Sequence, residues 1–162
     1  MSARRAELLE RAYRQVLTHG LADMSLRPLA TAIGSSPRVL LLLFGSKDGL
    51  VRALLERART DELTMLARIR DTDDPAAEVW QWLAAPEHRP LLVLWAEAYV
   101  RSLVDPDGPW AGFARSTVDD WLEILPTLTL AVLRGALLDL LATGDVERTT
   151  AAVASHLSSG DA

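Results

Sequence analysis

The sequence predicts an all-α fold of about nine helices. Apolar residues recur at three- and four-residue steps along most of the chain, and no segment shows the two-residue alternation of a strand. Short groups of Ser, Asp, Pro and Gly separate these periodic segments, where helices are expected to begin and end. Because 49% of the 162 residues are apolar and no glycine- or serine-rich linker is present, the whole chain is expected to be globular.

These separating residues define the individual helices. Ser25, Ser36 and Asp145 are predicted N-caps, and Gly34 and Gly144 are predicted to end the helices that precede them. The predicted helices span residues 3–19, 26–33, 37–43, 47–70, 75–85, 91–104, 110–125, 126–143 and 146–157.

The stretch from Ser25 to Lys47 has the form of a helix-turn-helix. Two short helices are joined by a tight turn at Gly34, and Pro37 occupies the first position of the second helix, where its fixed φ is already helical. The apolar stripe of the first helix is expected to pack on both and complete a three-helix unit. In such a motif the second helix enters the major groove of DNA.

Charge is divided unevenly along the chain. The net charge is −5, but residues 1–59 carry ten Arg or Lys against five Asp or Glu, a net of +5, and the remainder has a net of −10. A basic N-terminal part on an acidic body fits a DNA reader whose body stays away from the phosphates. The alternative is chance clustering of arginines on solvated helix faces.

Further residues accompany the helix-turn-helix at fixed spacing. They are Gly20, Ser25-Leu26-Arg27, Leu29-Ala30, Gly34, Ser36, Leu40, Phe44, Ser46-Lys47 and Leu50. In order and spacing they resemble the DNA-binding signature of the TetR (tetracycline repressor) family of transcriptional regulators. That family commonly has Tyr and His where this chain has Leu41 and Leu43. Because leucine cannot bind phosphate, either the leucines of this helix meet thymine methyl groups and sugars, or DNA contact is weaker than usual.

The resemblance implies a helix-turn-helix DNA-binding domain over residues 1–46 and a helical effector-binding and dimerisation domain over residues 47–162. The function it implies is a homodimeric transcriptional regulator, namely a repressor released from operator DNA by a small-molecule effector. The alternative is a TetR-fold protein-interaction module with weak or lost DNA binding. The residues expected to contact DNA are Ser25, Arg27, Thr31, Ser36, Pro37, Arg38, Val39, Leu41, Leu42 and Lys47.

Aromatic residues are frequent in the acidic body, which makes it a candidate site for an apolar or aromatic effector. The expected pocket residues are Trp80, Trp95, Glu97, Tyr99, Arg101, Trp110, Phe113 and Trp121. The alternative is that the rings are ordinary core residues, and that Glu97 and Arg101 form a surface ion pair four residues apart.

The helix predicted over residues 126–143 is apolar on most of its surface and must therefore be buried on most of it. A body this small is not expected to cover the helix alone, so a second copy of the chain is the expected cover. A monomer that buries the stripe internally is the alternative. In the TetR family the last two helices form the dimer interface. The expected interface residues are Leu130, Leu133, Leu137, Leu141, Val153 and Leu157.

Several other functions are disfavoured by the composition. The chain has no cysteine, and His19, His88 and His156 lie far apart without metal-ligand spacing. No nucleophile–base pattern or phosphate-binding glycine loop is found, so we expect no enzyme activity, no metal and no cofactor. The longest apolar segment is too short and too charged to span a bilayer, and no signal peptide is recognised, so a cytoplasmic protein without a membrane partner is expected.

Overall fold

The computed structural model describes residues 3–21 and 24–159. Within those residues the chain forms nine α-helices, a 3₁₀ turn at Pro86–His88 and no strand. The helices are α1 (Ala3–His19), α2 (Leu26–Ala32), α3 (Pro37–Phe44), α4 (Lys47–Ile69), α5 (Pro75–Ala84), α6 (Arg89–Val104), α7 (Phe113–Leu122), α8 (Thr127–Thr143) and α9 (Val146–Ser159). The predicted all-α fold is confirmed.

Side-chain acceptors determine where several helices begin. At α3, Ser36 Oγ accepts a hydrogen bond from the Val39 N–H at 3.3 Å, and at α5, Asp74 Oδ1 accepts from the Ala77 N–H at 3.0 Å. These bonds satisfy N–H groups that have no partner inside the helix. Ser25 stands directly before α2 as predicted, but its side chain makes no capping hydrogen bond. The predicted capping role of Ser25 is therefore wrong.

Proline and glycine explain the boundaries that differ from the prediction. Helix α6 begins before Pro90, because proline is tolerated in the first turn, where its missing N–H is not needed. Helix α7 begins only after Gly112, whose φ of +76° interrupts the helical path. The same helix ends three residues before its predicted end, and Pro126 follows, which disfavours helical conformation in the residue before it.

The chain divides into two compact units. The first consists of Met1–Asp61 and Val93–Ala114, and the second of Glu62–Leu92 and Arg115–Ala162. One division between them falls inside α4, after Asp61. The predicted functional boundary after residue 46 stays a prediction, since these units are defined by packing.

The first unit has a core made largely from α1, α2, α3 and the first half of α4. Its buried residues include Leu8, Ala12, Tyr13, Val16, Leu29, Ile33, Leu40, Phe44, Leu50 and Leu54. The buried residues of α1 recur at helical spacing and include Leu9, Tyr13 and Val16 of the predicted apolar stripe. The stripe was also predicted to include Ala6 and Leu17, but Ala6 is exposed and Leu17 is half-buried.

A polar network ties α1 to α4 at the edge of that core. The Arg57 guanidinium on α4 forms ion pairs with Glu10 on α1 and with Asp61 one turn further along α4. Its centre lies 4.8 Å from the centroid of the Tyr13 ring, whose hydroxyl donates to Asp61 Oδ2 at 2.9 Å. Burial, and then the hydrogen bond to Asp61, raise the pKa of the Tyr13 hydroxyl above its ordinary value.

In the second unit, helices α5, α8 and α9 pack against one another. Leu83 of α5, Leu133 and Leu137 of α8, and Val153 of α9 are almost completely buried. The Trp80 Nε1–H donates to Thr150 Oγ1 at 3.0 Å and links α5 to α9. None of the described helices combines the length and the apolar character needed to cross a membrane.

Removal of the Tyr13 hydroxyl is expected to make stability less sensitive to alkaline pH. The pKa of Tyr13 is higher in the folded protein than in the unfolded chain. Its contribution to the free energy of unfolding is therefore fully present below about pH 10 and is lost as the pH rises towards the pKa of the folded state. Tyr13→Phe should cost about 1 kcal/mol at neutral pH, since Asp61 loses a donor. Urea unfolding between about pH 7 and 11 measures both effects. A variant whose stability falls as steeply as that of the wild type would contradict this assignment.

Candidate nucleic-acid interface

Two arginines of α1 hold the C-terminal ends of α2 and α3. Arg11 Nη1–H donates to the carbonyl of Ile33 at 3.3 Å, and Arg5 Nε–H donates to the carbonyl of Leu43 at 3.2 Å. The Arg5 guanidinium also lies 4.8 Å from the centroid of the Phe44 ring. Carbonyls at a helix C-terminus lack partners in their own helix, and a cation there is favourable for the helix dipole. Helix α1 therefore positions both short helices.

Helix α3 buries one side and exposes the other. Leu40 is 1% exposed and Phe44 is 8% exposed, so both are part of the core of the first unit. Arg38, Leu41 and Leu42 lie at i, i+3 and i+4 on the opposite side, and all three are exposed. We refer to Arg38, Leu41 and Leu42 as the α3 face.

Helix α2 is arranged in the same way. Leu29, Ala30 and Ile33 are buried, while Arg27 and Thr31 share the exposed side one turn apart. The Thr31 hydroxyl donates to the Arg27 carbonyl at 3.1 Å, which keeps the threonine side chain against its own helix. The Arg27 side chain is left at the surface.

The exposed cations near α2 and α3 are not neutralised locally. Among the residues that the structure describes, none forms an ion pair or hydrogen bond with the side chain of Arg27, Arg38 or Lys47. The sequence between residues 24 and 47 also contains no Asp or Glu. The segment from residue 24 to 47 therefore carries only positive charges, with exposed Asp48 directly after it, and this suits contact with a phosphate backbone.

The ten residues predicted to contact DNA all lie in the first unit, but they are not equally accessible. Pro37 and Val39 are half-buried, and the other eight are exposed. Ser36 is exposed, yet its hydroxyl oxygen is already used as the cap of α3. DNA contact by each of the ten residues stays a prediction.

The residues expected to form the effector pocket are divided between the two units. Trp80 and Trp121 belong to the second unit. The others belong to the first unit and are Trp95, Glu97, Tyr99, Arg101, Trp110 and Phe113. In that unit a cavity of about 220 Å³ opens between α1 and α2, and its described lining residues come from those helices and their connection. The effector pocket therefore stays a prediction.

Glu97 accepts a hydrogen bond from the backbone and does not pair with Arg101, the partner considered for it above. Its Oε2 accepts a hydrogen bond from the Leu21 N–H at 3.2 Å, at the end of α1. Its Oε1 is buried and finds no hydrogen-bond partner among the described residues. Arg101 is exposed. Glu97 is therefore a structural acceptor for the connection after α1.

A buried polar cluster in the second unit was not recognised from the sequence. The Trp121 Nε1–H donates to Glu62, which is 6% exposed, and Arg134 Nη2–H donates to Thr117 Oγ1 at 3.2 Å. The Arg134 guanidinium lies 5.4 Å from the Trp121 ring centroid. A signal was available, because Glu62 occupies a position on the buried stripe of α4 where an apolar residue is expected.

Four of the six residues predicted for a dimer interface are buried within the chain itself. Helix α8 packs against α5 and α9 of the same chain, so this side of the helix is already covered. The predicted residues that are buried in this way are Leu130, Leu133, Leu137 and Val153. Leu141 and Leu157 are half-buried. The four buried residues are thus core residues of one chain and are not available to a partner.

A second apolar line remains exposed on α8. Its residues alternate at three- and four-residue steps, the spacing of a helix-packing seam. They are Leu128, Ala131, Gly135, Leu138 and Ala142, and we call this line the α8 seam. Leu128 is 67% exposed and Leu138 is 53% exposed. The Cβ position of Gly135 has no atom within 4 Å, so another helix can approach closely there.

Comparison with known proteins identifies the fold. No protein-family model and no curated protein sequence matches the chain. Among solved structures, it is similar to the multidrug binding protein EbrR, crystallised in complex with imidazole, with a TM-score of 0.67 and 22% sequence identity. The similarity covers 96% of this chain and 90% of the EbrR chain. The two proteins share a fold, in agreement with the fold expected from the resemblance to the TetR family.

Arg38 and Lys47 are expected to contribute to DNA binding in different ways. Arg38→Ala should cost about 1–3 kcal/mol and relax sequence preference, since Arg38 is on the α3 face. Lys47→Ala should weaken binding about equally for all sequences and lower the salt slope by about 1. Arg115→Ala is the matched control, because this side chain is 88% exposed and lies in the second unit. Equal losses for all three variants, measured by fluorescence anisotropy at several salt concentrations, would contradict the assignment.

Proposed function

We propose that this chain is a TetR-like DNA-binding transcriptional regulator. The observation that supports the proposal best is the exposed α3 face, which includes Arg38. Two further exposed cations, Arg27 on α2 and Lys47 at the start of α4, lie on the helices next to α3 in the chain. Phosphate contacts would supply most of the affinity, and side chains of α3 would contact base edges in the major groove. A regulator of this kind acts in the cytoplasm, where the DNA is.

The proposed regulator is a homodimer that pairs through the α8 seam. The seam is apolar, exposed and periodic, and Gly135 allows close approach of a second helix. A two-fold dimer carries two copies of α3, which matches an operator with two half-sites about 34 Å apart or a multiple of that distance. The seam replaces the buried residues that the sequence had suggested for this interface.

The proposed regulation is repression relieved by a small-molecule effector. EbrR, whose fold this chain shares, is named as a multidrug binding protein. In the second unit, buried Trp121 and Glu62 and half-buried Arg134 form a polar and aromatic cluster that an effector could rearrange. An effector that binds better to a conformation in which the two α3 helices no longer match the half-sites would lower DNA affinity by that difference in free energy.

A protein-interaction module is the second candidate function. Leu42 is 81% exposed and Leu41 is 41% exposed, and exposed apolar side chains are a common feature of protein interfaces. In this case the fold would be retained while sequence-selective DNA binding is weak or lost. The two candidates differ in their dependence on salt, because only contact with phosphates releases many counterions.

Titration of DNA binding with salt separates the two candidates. We expect tight, sequence-selective binding to the DNA that flanks the gene of this protein, falling steeply as salt rises from about 50 to 200 mM. The Arg27→Ala, Arg38→Ala double variant should lose this binding while keeping the wild-type helical content in circular dichroism. Weak binding that responds neither to sequence nor to the two substitutions would favour the interaction module.

A charge placed in the α8 seam should dissociate the dimer. Leu138→Glu introduces a carboxylate at the middle of the seam, where a partner helix would have to desolvate it. We expect the wild type to sediment as a dimer and Leu138→Glu as a folded monomer that binds DNA with much lower affinity. Leu122→Glu is the matched control, since Leu122 is an exposed leucine of α7 in the same unit. Dissociation by both variants, or by neither, would refute the seam as the interface.

A further inference from the structure

The α3 face is mainly apolar, which limits what it can recognise. Leu40 and Phe44 are buried on the opposite side. A rotation of the helix that hid Leu41 and Leu42 would therefore expose Leu40 and Phe44. Leu41 and Leu42 are also one turn from Arg38, on the same side. Any surface that α3 meets must therefore accept two leucine side chains next to a guanidinium group.

Base edges in the major groove differ in what they offer to a leucine. Guanine, adenine and cytosine present hydrogen-bond donors and acceptors there, whereas thymine also presents its C5-methyl group. A leucine against a polar edge displaces water without replacing its hydrogen bonds, which is unfavourable. A leucine against a thymine methyl group buries two apolar surfaces together. In contact with base edges, the side chains of Leu41 and Leu42 would thus favour thymine over the other bases.

The charge around the leucines favours DNA as the partner. Arg27, Arg38 and Lys47 are exposed, and the sequence from position 24 to 47 contains no acidic residue, while exposed Asp48 follows directly. Arginine is common in protein–protein interfaces too, but a group of cations in a segment without acidic residues suits a polyanion better. Helices α2 and α3 and the start of α4 therefore combine exposed leucines with cations that attract phosphates.

We propose that Leu41 and Leu42 contact thymine C5-methyl groups, so that the operator half-site carries thymines next to the base pair that Arg38 contacts. Arg38 is suited to a guanine, because its guanidinium can donate to O6 and N7 together. This inference rests on the proposed function, and it makes Leu41 and Leu42 residues that determine specificity. It also assigns a role to the two leucines that depart from the polar character expected of a DNA-facing surface.

Replacing thymine by uracil tests the proposal with the wild-type protein. An operator is first selected from a random duplex library, and each of its thymines is then replaced singly by deoxyuridine, which removes the methyl group and keeps the base pair. We expect about fourfold weaker binding at one or two positions in each half-site, the effect of one apolar group of that size. The remaining thymines should tolerate the replacement. If uracil has no effect on binding at any position, the proposal is overturned, while the proposed DNA-binding function still stands.

Variants of Leu41 and Leu42 test whether these residues of α3 contact the thymine methyl groups. Leu42→Ala should bind the thymine operator more weakly and should no longer distinguish thymine from uracil at its own position. Leu63→Ala is the matched control, because Leu63 is exposed to the same 41% as Leu41 but lies on α4 in the second unit. A Leu41→Ala, Leu42→Ala double variant with the wild-type response to uracil would overturn the proposal. Failure of the library to yield any selected sequence would overturn the proposed function together with this inference.

Discussion

The burial of Leu40 and Phe44 fixes how α3 is rotated about its own axis. Each side chain contributes about 1.5–3 kcal/mol by leaving water, and a rotation by one residue would expose both. Arg5 adds to this constraint, since it binds the Leu43 carbonyl and covers the Phe44 ring. Arg38, Leu41 and Leu42 are exposed because Leu40 and Phe44 anchor the opposite side of α3, and this exposure does not depend on any ligand.

The all-α fold and most helix ends could be predicted because their causes are local. Ser36 caps α3 by a bond that spans three residues, and Gly34 and Gly144 have the positive φ that ends a helix. The start of α7 was predicted three residues too early, at Trp110 instead of Phe113. Gly112, whose φ is positive, directly precedes the observed start.

The candidate sites were less predictable because they depend on contacts distant in sequence. Periodicity indicated that α8 is apolar on most sides, but it could not distinguish the side that packs on α5 and α9 from the side that carries Leu138. Likewise, Glu62 could be recognised as a charged residue on an apolar stripe, but Trp121 as its donor could not. The basic face around Arg27 and Arg38 was predictable, since the exposed sides of two short amphipathic helices follow from their buried sides.

The hydrogen bond from Leu21 to Glu97 joins residues separated by 76 positions in sequence. It means that the first unit is assembled from two separate stretches of chain, with α6 supporting the connection that leads into α2. A fragment that stops in α4 contains every residue predicted to contact DNA, but it lacks Glu97, the acceptor of the Leu21 N–H. The packing unit that contains the helix-turn-helix thus also includes residues 93–114. Its folding also includes a long loop closure, so the order in which the helices form is not set by their order in the chain.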